Sequence, residues 1–437
     1  SPVPPSPSPA PVPAAVPAPA CPPRAPRAVP LPDRPRYRIT AHVRPAERVA
    51  EGDLTVRFTP DLPTDRLVFR LWANAPVTVA GGVRLDAGPV TVGGAPVEAA
   101  RPDATTMVVS RPLAAGEAVE VSMPWRLTMG GPVNDRISAA GDSVRMGSFV
   151  PLLAWEPGHG WALEPATRIH GETSSTPAAD FDLTLTAPDG YTTLASGADL
   201  GGGRWLAEAV PDVGVSVGRF ALAEATADGG RGEPVRVRVG VNPGIGENPA
   251  TYAAKVARAI ANHSQRFGPY PWPAYTLAIT PGLRGGMEYP GHVMQGPDTI
   301  GRSTSHEVAH QWFYALVINN QARDPWLDEA LATWGEAGFD KSLGSFVQRS
   351  IPADARGRGG APMTYWDAHG DSYYRGVYVQ PAQALAALGP GPVVDCALAS
   401  YVAASAYRIA RPGDLLRALS AVFPDAPALF ARYGLGG

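Results

Sequence analysis

The chain has 437 residues, of which 45% are hydrophobic and 18% charged, with a formal charge of −3. That length exceeds one ordinary domain, so two globular domains are expected, and the near-neutral balance excludes the basic footprint of a nucleic-acid binder. No uninterrupted apolar run approaches the length needed to cross a bilayer, so no membrane span is expected.

Residues 1–35 are dominated by Pro and Ala, which deny the backbone both donors and apolar bulk, and they read as an extended linker. Neither a charged n-region nor an apolar h-region precedes them. A chain that opens on such a spacer reads as an exported protein, extracellular or attached to the cell envelope, after removal of a signal. A cytoplasmic protein with a disordered start is the alternative. The two cysteines, Cys21 in this segment and Cys396 in a late helical stretch, either form one disulfide or remain free thiols, and spacing alone leaves both open.

Residues 36–225 alternate in short runs such as YRITAHV, LVFRLWA and AVEVSMPW, separated by Gly, Pro, Asp and Asn. This pattern predicts an all-β, sandwich-like domain. Beyond it the period changes. VRVRVGV (235–241) and YTLAIT (275–280) read as strands flanking a helix that ends at Gly268, and the apolar segments after residue 303 have helical spacing. The expected fold is therefore α+β, with the second domain over 226–437. The tryptophans at 155, 161 and 272 read as core or interface anchors.

The second domain carries His306-Glu307-Val308-Ala309-His310, an HExxH pattern inside STSHEVAHQWFYALVI, a stretch predicted to be one helix. Residues four apart share a helix face, so both imidazoles can reach one cation, with Glu307 beside them to contact a water in the open coordination position. Asp324-Pro325 then predicts a helix start, with Asp324 as cap and Trp326 to Glu336 as the helix. Glu329, separated from His310 by eighteen residues, is positioned one turn into it as the third ligand. Asp328 and Glu336 compete for that role and otherwise read as solvent-facing charges. His42, His159, His170, His263, His292 and His369 lie outside any ligand spacing, with His292 near the cleft.

HEVAHQWF followed by WLDEALATW resembles the HExxH-x18-E signature of the M1 zinc aminopeptidases, a gluzincin family. The family's Gly-Asn after HQWF is Tyr314-Ala315 here, and its Asn-Glu-Gly is Asp328-Glu329-Ala330. The resemblance implies a thermolysin-like catalytic domain of mixed sheet and helices, and one Zn(2+) per chain on His306, His310 and Glu329, with Glu307 as general base. Gly285-Gly286-Met287-Glu288-Tyr289 resembles the family's GxMEN motif. There it implies a substrate-binding edge strand formed by Gly285, Gly286 and Met287, with Glu288 receiving the ammonium of peptides that have a free amino terminus. Tyr289 replaces the family's Asn.

DSYYRGVYV resembles the family's Y-x-[K/R]-G motif, which implies that Tyr373 donates to the oxyanion of the tetrahedral intermediate; Tyr374 and Tyr378 are alternatives. Larger members take a second residue for the substrate amine from the β-domain, for which Glu156 and Glu164 are candidates. They also carry a long helical C-terminal domain, whereas this chain has room after the zinc motif only to finish the catalytic domain. Two other readings remain open at this point: a zinc endopeptidase or dipeptidyl-type protease, and a non-catalytic surface module with a relict zinc fold.

Overall fold

A computed structural model of the chain describes residues 21, 23, 25–169, 175–297, 300–301 and 303–436. Most of the linker expected over 1–35 falls outside these residues, as does His170.

The first half is built of β-strands, as the alternation predicts. Its largest sheet places Arg36–Arg44 between Val49–Phe58, antiparallel, and Ala179–Thr186, parallel. Along Arg36–Arg44 every second side chain is buried, and Tyr37, Ile39, Ala41 and Val43 enter the core. That is the signature of a strand with one face on the core and one in water. Two four-stranded sheets and a two-stranded one, Trp155–Glu156 with Gly160–Trp161, accompany the largest sheet among the described residues. One of them, with Ser143–Gly147 beside Gly214–Gly218, faces the second half of the chain.

The stretch VSVGRFAL (215–222), whose alternation also reads as one strand, divides between two sheets. Gly214–Gly218 stays with the first half, whereas Ala221–Ala227 is the outer strand of a five-stranded sheet that continues through Val235–Val241, Ala274–Ile279, His292–Gln295 and the edge strand Gly286–Met287. Val235–Val241, Ala274–Ile279 and His292–Gln295 run parallel, and Gly286–Met287 returns antiparallel to its neighbour. The helix Pro249–Phe267 crosses between the first two of these parallel strands. It starts where the Asn248 side chain accepts from the Ala250 amide and stops at Gly268, φ 104°. Its inner face carries Tyr252, Val256, Ala259, Ile260, His263 and Phe267, a helical repeat of buried positions. Among the described residues no single helix is long and apolar enough to cross a membrane.

Two helices expected from the pattern are placed differently. The one bearing HExxH is short, Ser303–Ala309. Beyond it the backbone turns, with Tyr314 at φ 112°, a region that L-residues other than glycine seldom enter. No helix can continue through that angle, and the chain goes on to the short strand Ile318–Asn319, paired with Ile409–Ala410. The following helix runs Trp326–Phe339 with Pro325 at its cap. Asp324 does not cap it through its side chain; the carboxylate takes Arg323 Nε instead, 3.2 Å away.

Buried polar contacts join the two halves. Arg145 donates to Thr280 Oγ1 (3.1 Å) and to the Pro281 carbonyl (2.8 Å), and the Trp272 indole donates to the Glu208 carbonyl. Trp155 and Trp161 stack edge to face within the first half, 4.8 Å between centroids. Cys21 and Cys396 form a disulfide across 375 residues, and nearby the Ala28 amide bonds the Ala403 carbonyl. The start of the N-terminal segment is thus fastened to the second half, whereas its end joins the β-rich half, where Arg34 pairs with Asp180 at 2.7 Å.

His292 lies in this interface, fully buried, with Nδ1 2.7 Å from Thr276 Oγ1 and Nε2 3.0 Å from Ser216 Oγ. Burial pushes its pKa down to about 3. The unfolded chain takes up this proton below pH ~6.5 whereas the folded chain refuses it until near pH 3, so stability is full above that window and falls as pH drops through it. Between pH 7 and pH 5 the loss from this residue is expected to be about 2 kcal/mol. Urea titrations of wild type and His292→Gln at both pH values check this, and an identical pH dependence in the two proteins would refute it.

Candidate metal centre

Ser303–Ala309 and Trp326–Phe339 pack against each other, and their facing sides bring three donors together. His306 Nε2 and His310 Nε2 lie 3.1 Å apart, and Glu329 Oε2 is 3.1 Å from the first and 3.4 Å from the second. All three residues are buried, with their donor atoms within 4.8 Å of one another. His310 follows the last helical residue, yet its amide still bonds the His306 carbonyl. The i to i+4 spacing that brings the two rings together, edge to face, therefore survives the end of the helix.

The opposite ring nitrogens explain why the Nε2 atoms converge. His306 Nδ1 lies 3.2 Å from Glu336 Oε2, and His310 Nδ1 lies 3.0 Å from the Phe313 carbonyl. An acceptor at Nδ1 fixes the tautomer that leaves the Nε2 lone pair for a cation. Glu336, expected at the surface, is buried and orients a histidine. Asp328, expected there too, is also buried, accepting from Asn319 Nδ2 (2.9 Å) and Gln321 Nε2 (2.7 Å). Burial raises its pKa to about 7, with Glu329 adding to the rise.

Charge in the pocket fits a cation. Burial alone would lower both histidine pKa values, but Glu329 outweighs it: His310 rises to about 9, and His306, which also bonds Glu336, rises well above its ordinary value. Glu307 is raised to about 8, chiefly by burial. Its Oε2 is buried with no hydrogen-bond partner among the described residues. Two imidazoles that attract positive charge, a carboxylate between them and an orphaned carboxylate oxygen make a donor set suited to zinc, by type and number.

The three donors open onto a cleft of about 610 Å³ lined also by Arg284, Gly285, Gly286, Glu288, Glu307 and Glu336. Gly286 passes so close to Glu307 that a Cβ there would collide with its carboxyl group. Met287 points the other way, into a small cluster with Leu283, Tyr289 and Met294. Glu288 Oε1 accepts from Gln321 Nε2 at 3.1 Å. The Tyr289 hydroxyl, 3.0 Å from Ser148 Oγ and 3.5 Å from Arg136 Nη1, ties this segment to the β-rich half. Gln311, directly after HExxH, clasps it from the other side, accepting from the Gly291 amide and donating to the Tyr289 carbonyl.

The remaining candidates are placed less simply. Tyr373 is buried, edge-on to Trp366 and Tyr378, and is not among the described residues that line the cleft. Tyr374 and Tyr378 are the tyrosines that line the cleft. Tyr378 lies nearly parallel to the His306 ring, centroids 5.9 Å apart. A π-helical turn, Arg375–Val379, inserts an extra residue between the helices Gly370–Tyr374 and Gln380–Leu388, which changes the faces these tyrosines present. Glu156 and Glu164 are not in the cleft. Both bond Arg323, and Glu156 is also held by Arg411 and Asn320. Sequence reasoning missed Glu336 as an orienting group, Gln311, Gln321 and Arg284. Of these only Gln311 carried a signal, its place beside the HExxH pattern.

Comparisons with known proteins find the same fold. An M1 zinc metallopeptidase from Deinococcus radiodurans has a similar structure, with a TM-score of 0.66 and 21% identity, over 93% of this chain and 95% of that one. A mutant of that metallopeptidase bound to a Tyr-Ser-Ala substrate gives a TM-score of 0.67 at 21% identity, over 92% and 94% of the two chains. A two-domain M1 zinc metallopeptidase mutant bound to L-arginine gives 0.67 at 22% identity, over 93% and 94%. The chain has the α+β fold of these metallopeptidases. In sequence it is similar to aminopeptidase B of Mus musculus, 28% identical over 189 residues, 39% of this chain, and of Homo sapiens, 30% identical over 108 residues, 23% of this chain and 15% of that protein. The match spans 26% of the length of the mouse protein. No family model matches the chain.

A divalent ion in this triad is expected to stabilise the fold, by about 2.7 kcal/mol at a hundredfold excess over Kd. Calorimetric melting with zinc and after chelation should therefore differ by several degrees in wild type and not in Glu329→Gln. A midpoint indifferent to chelation in wild type would show that the three side chains hold no metal.

Proposed function

We propose that this chain is a zinc-dependent aminopeptidase, with one metal ion per chain on His306, His310 and Glu329, that removes N-terminal residues from peptides. The observation that carries the reading is the convergence of those three donors in a cleft whose wall holds three further carboxylates, Glu307 and Glu288 at separate points and Glu336 behind His306. A zinc ion bound there supplies a Lewis acid that polarises a carbonyl and makes a water acidic enough to lose a proton near neutral pH.

The side chains divide the remaining work. Glu307, with an uncommitted buried oxygen, takes the proton of the attacking water and returns it to the leaving amine. Glu288, steadied at one oxygen by Gln321, receives the substrate ammonium and so sets the distance from the amino terminus to the bond that is cut. Glu336 and the Phe313 carbonyl keep the two imidazoles in one tautomer throughout. Tyr373, the hydroxyl that the sequence pattern points to, stabilises the oxyanion. Tyr378 is the second reading, favoured by its place on the cleft wall against His306. Export from the cytoplasm belongs to the same proposal, supported by the Cys21–Cys396 disulfide, since such bonds persist in oxidising compartments.

On a panel of aminoacyl arylamides, Glu307→Gln is expected to lower kcat by about a thousandfold or more, with zinc content retained. N-acetylated versions of the same substrates should resist wild type. Cleavage of the acetylated forms would point to an endopeptidase, and no chelator-sensitive hydrolysis at all would leave a binding role. Tyr373→Phe should reduce kcat by about 10² to 10³ and Tyr378→Phe by less than tenfold. The opposite order in steady-state kinetics would move the oxyanion role to Tyr378.

A further inference from the structure

The segment Leu283–Tyr289 divides its residues between core and cleft, with alternation over Gly286–Tyr289 and with Arg284 and Gly285 before it both on the cleft. Leu283, Met287 and Tyr289 are buried in their own cluster with Met294, whereas Arg284, Gly286 and Glu288 line the cleft. Its central strand, Gly286–Met287, pairs on one side with His292–Gln295, and among the described residues no strand covers its other edge. An open edge beside a cleft accepts an extended peptide as an added strand.

Gly286 marks the position of the chemistry along this edge, because it packs directly on the Glu307 carboxyl. Glu288 lies two residues to one side, and Arg284 two residues to the other, past a bend at Gly285 (φ 86°), each within about 6–7 Å of Gly286 along the chain. A peptide laid antiparallel, with its ammonium at Glu288 and its first peptide bond at Gly286, therefore heads toward Arg284. The other charged cleft residues are Glu288, Glu307, Glu329, Glu336 and the two histidines; Arg284 is the one Lys or Arg side chain among the described lining residues. It is exposed, and its guanidinium has no ion-pair partner among them. A guanidinium presents paired donors that match a carboxylate.

We propose that Arg284 binds the C-terminal carboxylate of a short peptide, so that peptides of two or three residues are the preferred substrates. The proposal rests on the aminopeptidase reading above and adds to it the far end of the substrate. Glu288 and Arg284 then measure the peptide between its two terminal charges, with the hydrolysed bond between them. A carboxylate further along a longer chain passes beyond Arg284 and gains nothing from it.

The test compares kcat/KM for di-alanine, tri-alanine and penta-alanine, each as free acid and C-terminal amide, in wild type, Arg284→Gln and Arg284→Lys. Alanine arylamide serves as the measure of aminopeptidase activity. Wild type is expected to favour the free acid of the two- or three-residue peptide by about tenfold, with the ratio falling toward one for penta-alanine. Arg284→Gln should bring the ratio for the short peptides close to one, Arg284→Lys should keep part of it, and added salt should erode it. Calorimetric titration of tri-alanine acid and amide into Glu307→Gln should show the same preference in Kd. An acid-to-amide ratio near one in wild type, or one that survives in Arg284→Gln, overturns the inference while arylamide cleavage leaves the aminopeptidase reading standing. Failure of zinc-loaded wild type to cleave arylamide and peptides alike overturns both.

Discussion

Two imidazole nitrogens held 3.1 Å apart beside a buried carboxylate form an arrangement that does not persist unless each ring is turned by something behind it. Here Glu336 and the Phe313 carbonyl do that turning, and the second depends on how the chain leaves the short HExxH helix. The carbonyl is available because the backbone turns after Ala309 instead of continuing as helix. That turn passes through Tyr314 at φ 112°, where the resembling family has glycine. Holding a bulky residue there costs on the order of 1–3 kcal/mol. The surrounding contacts must offset it, and Tyr314 is buried among them.

The cleft-edge segment depends on the β-rich half in a comparable way. Tyr289 runs its ring against the backbones of Gly147 and Gly214, neither of which could carry a Cβ without striking it. Its hydroxyl reaches Ser148, which in turn donates to buried Asp212 at 2.7 Å. The exchange of Asn for Tyr in this motif is thus accommodated in the other half of the chain, by two absent side chains and a serine. The β-rich half supplies the wall that keeps Glu288 and Gly286 in place relative to Glu307.

What could be read from the sequence was whatever local geometry enforces. HExxH converges because a helix repeats every 3.6 residues, and Glu329 follows because eighteen residues allow a turn and a return. The same rule failed for the length of the first helix, since nothing in YALVI announces a positive φ at Tyr314. It failed again for Asp324, whose side chain prefers Arg323 to the cap. Asp328 and Glu336 were misread because a charge on a helix looks solvent-facing until the partner across the packing interface is known. For Glu336 that partner is a histidine thirty residues earlier. Glu156 and Glu164 looked free for the same reason, and Arg323, more than 150 residues away in sequence, claims both. The pairing of Cys21 with Cys396 is likewise a property of the folded chain, without any local spacing to report it.

That disulfide has a topological effect beyond attachment of the N-terminal segment. It closes residues 21–396 into one covalent ring, with the two helices of the His306–His310–Glu329 triad and the β-rich half inside it. A single backbone cut anywhere between Cys21 and Cys396 opens the ring without releasing a fragment. Two pieces so produced would travel together under oxidising conditions and separate only after reduction. A molecule nicked in its cleft-edge segment would therefore keep its full mass while its catalytic surface was broken.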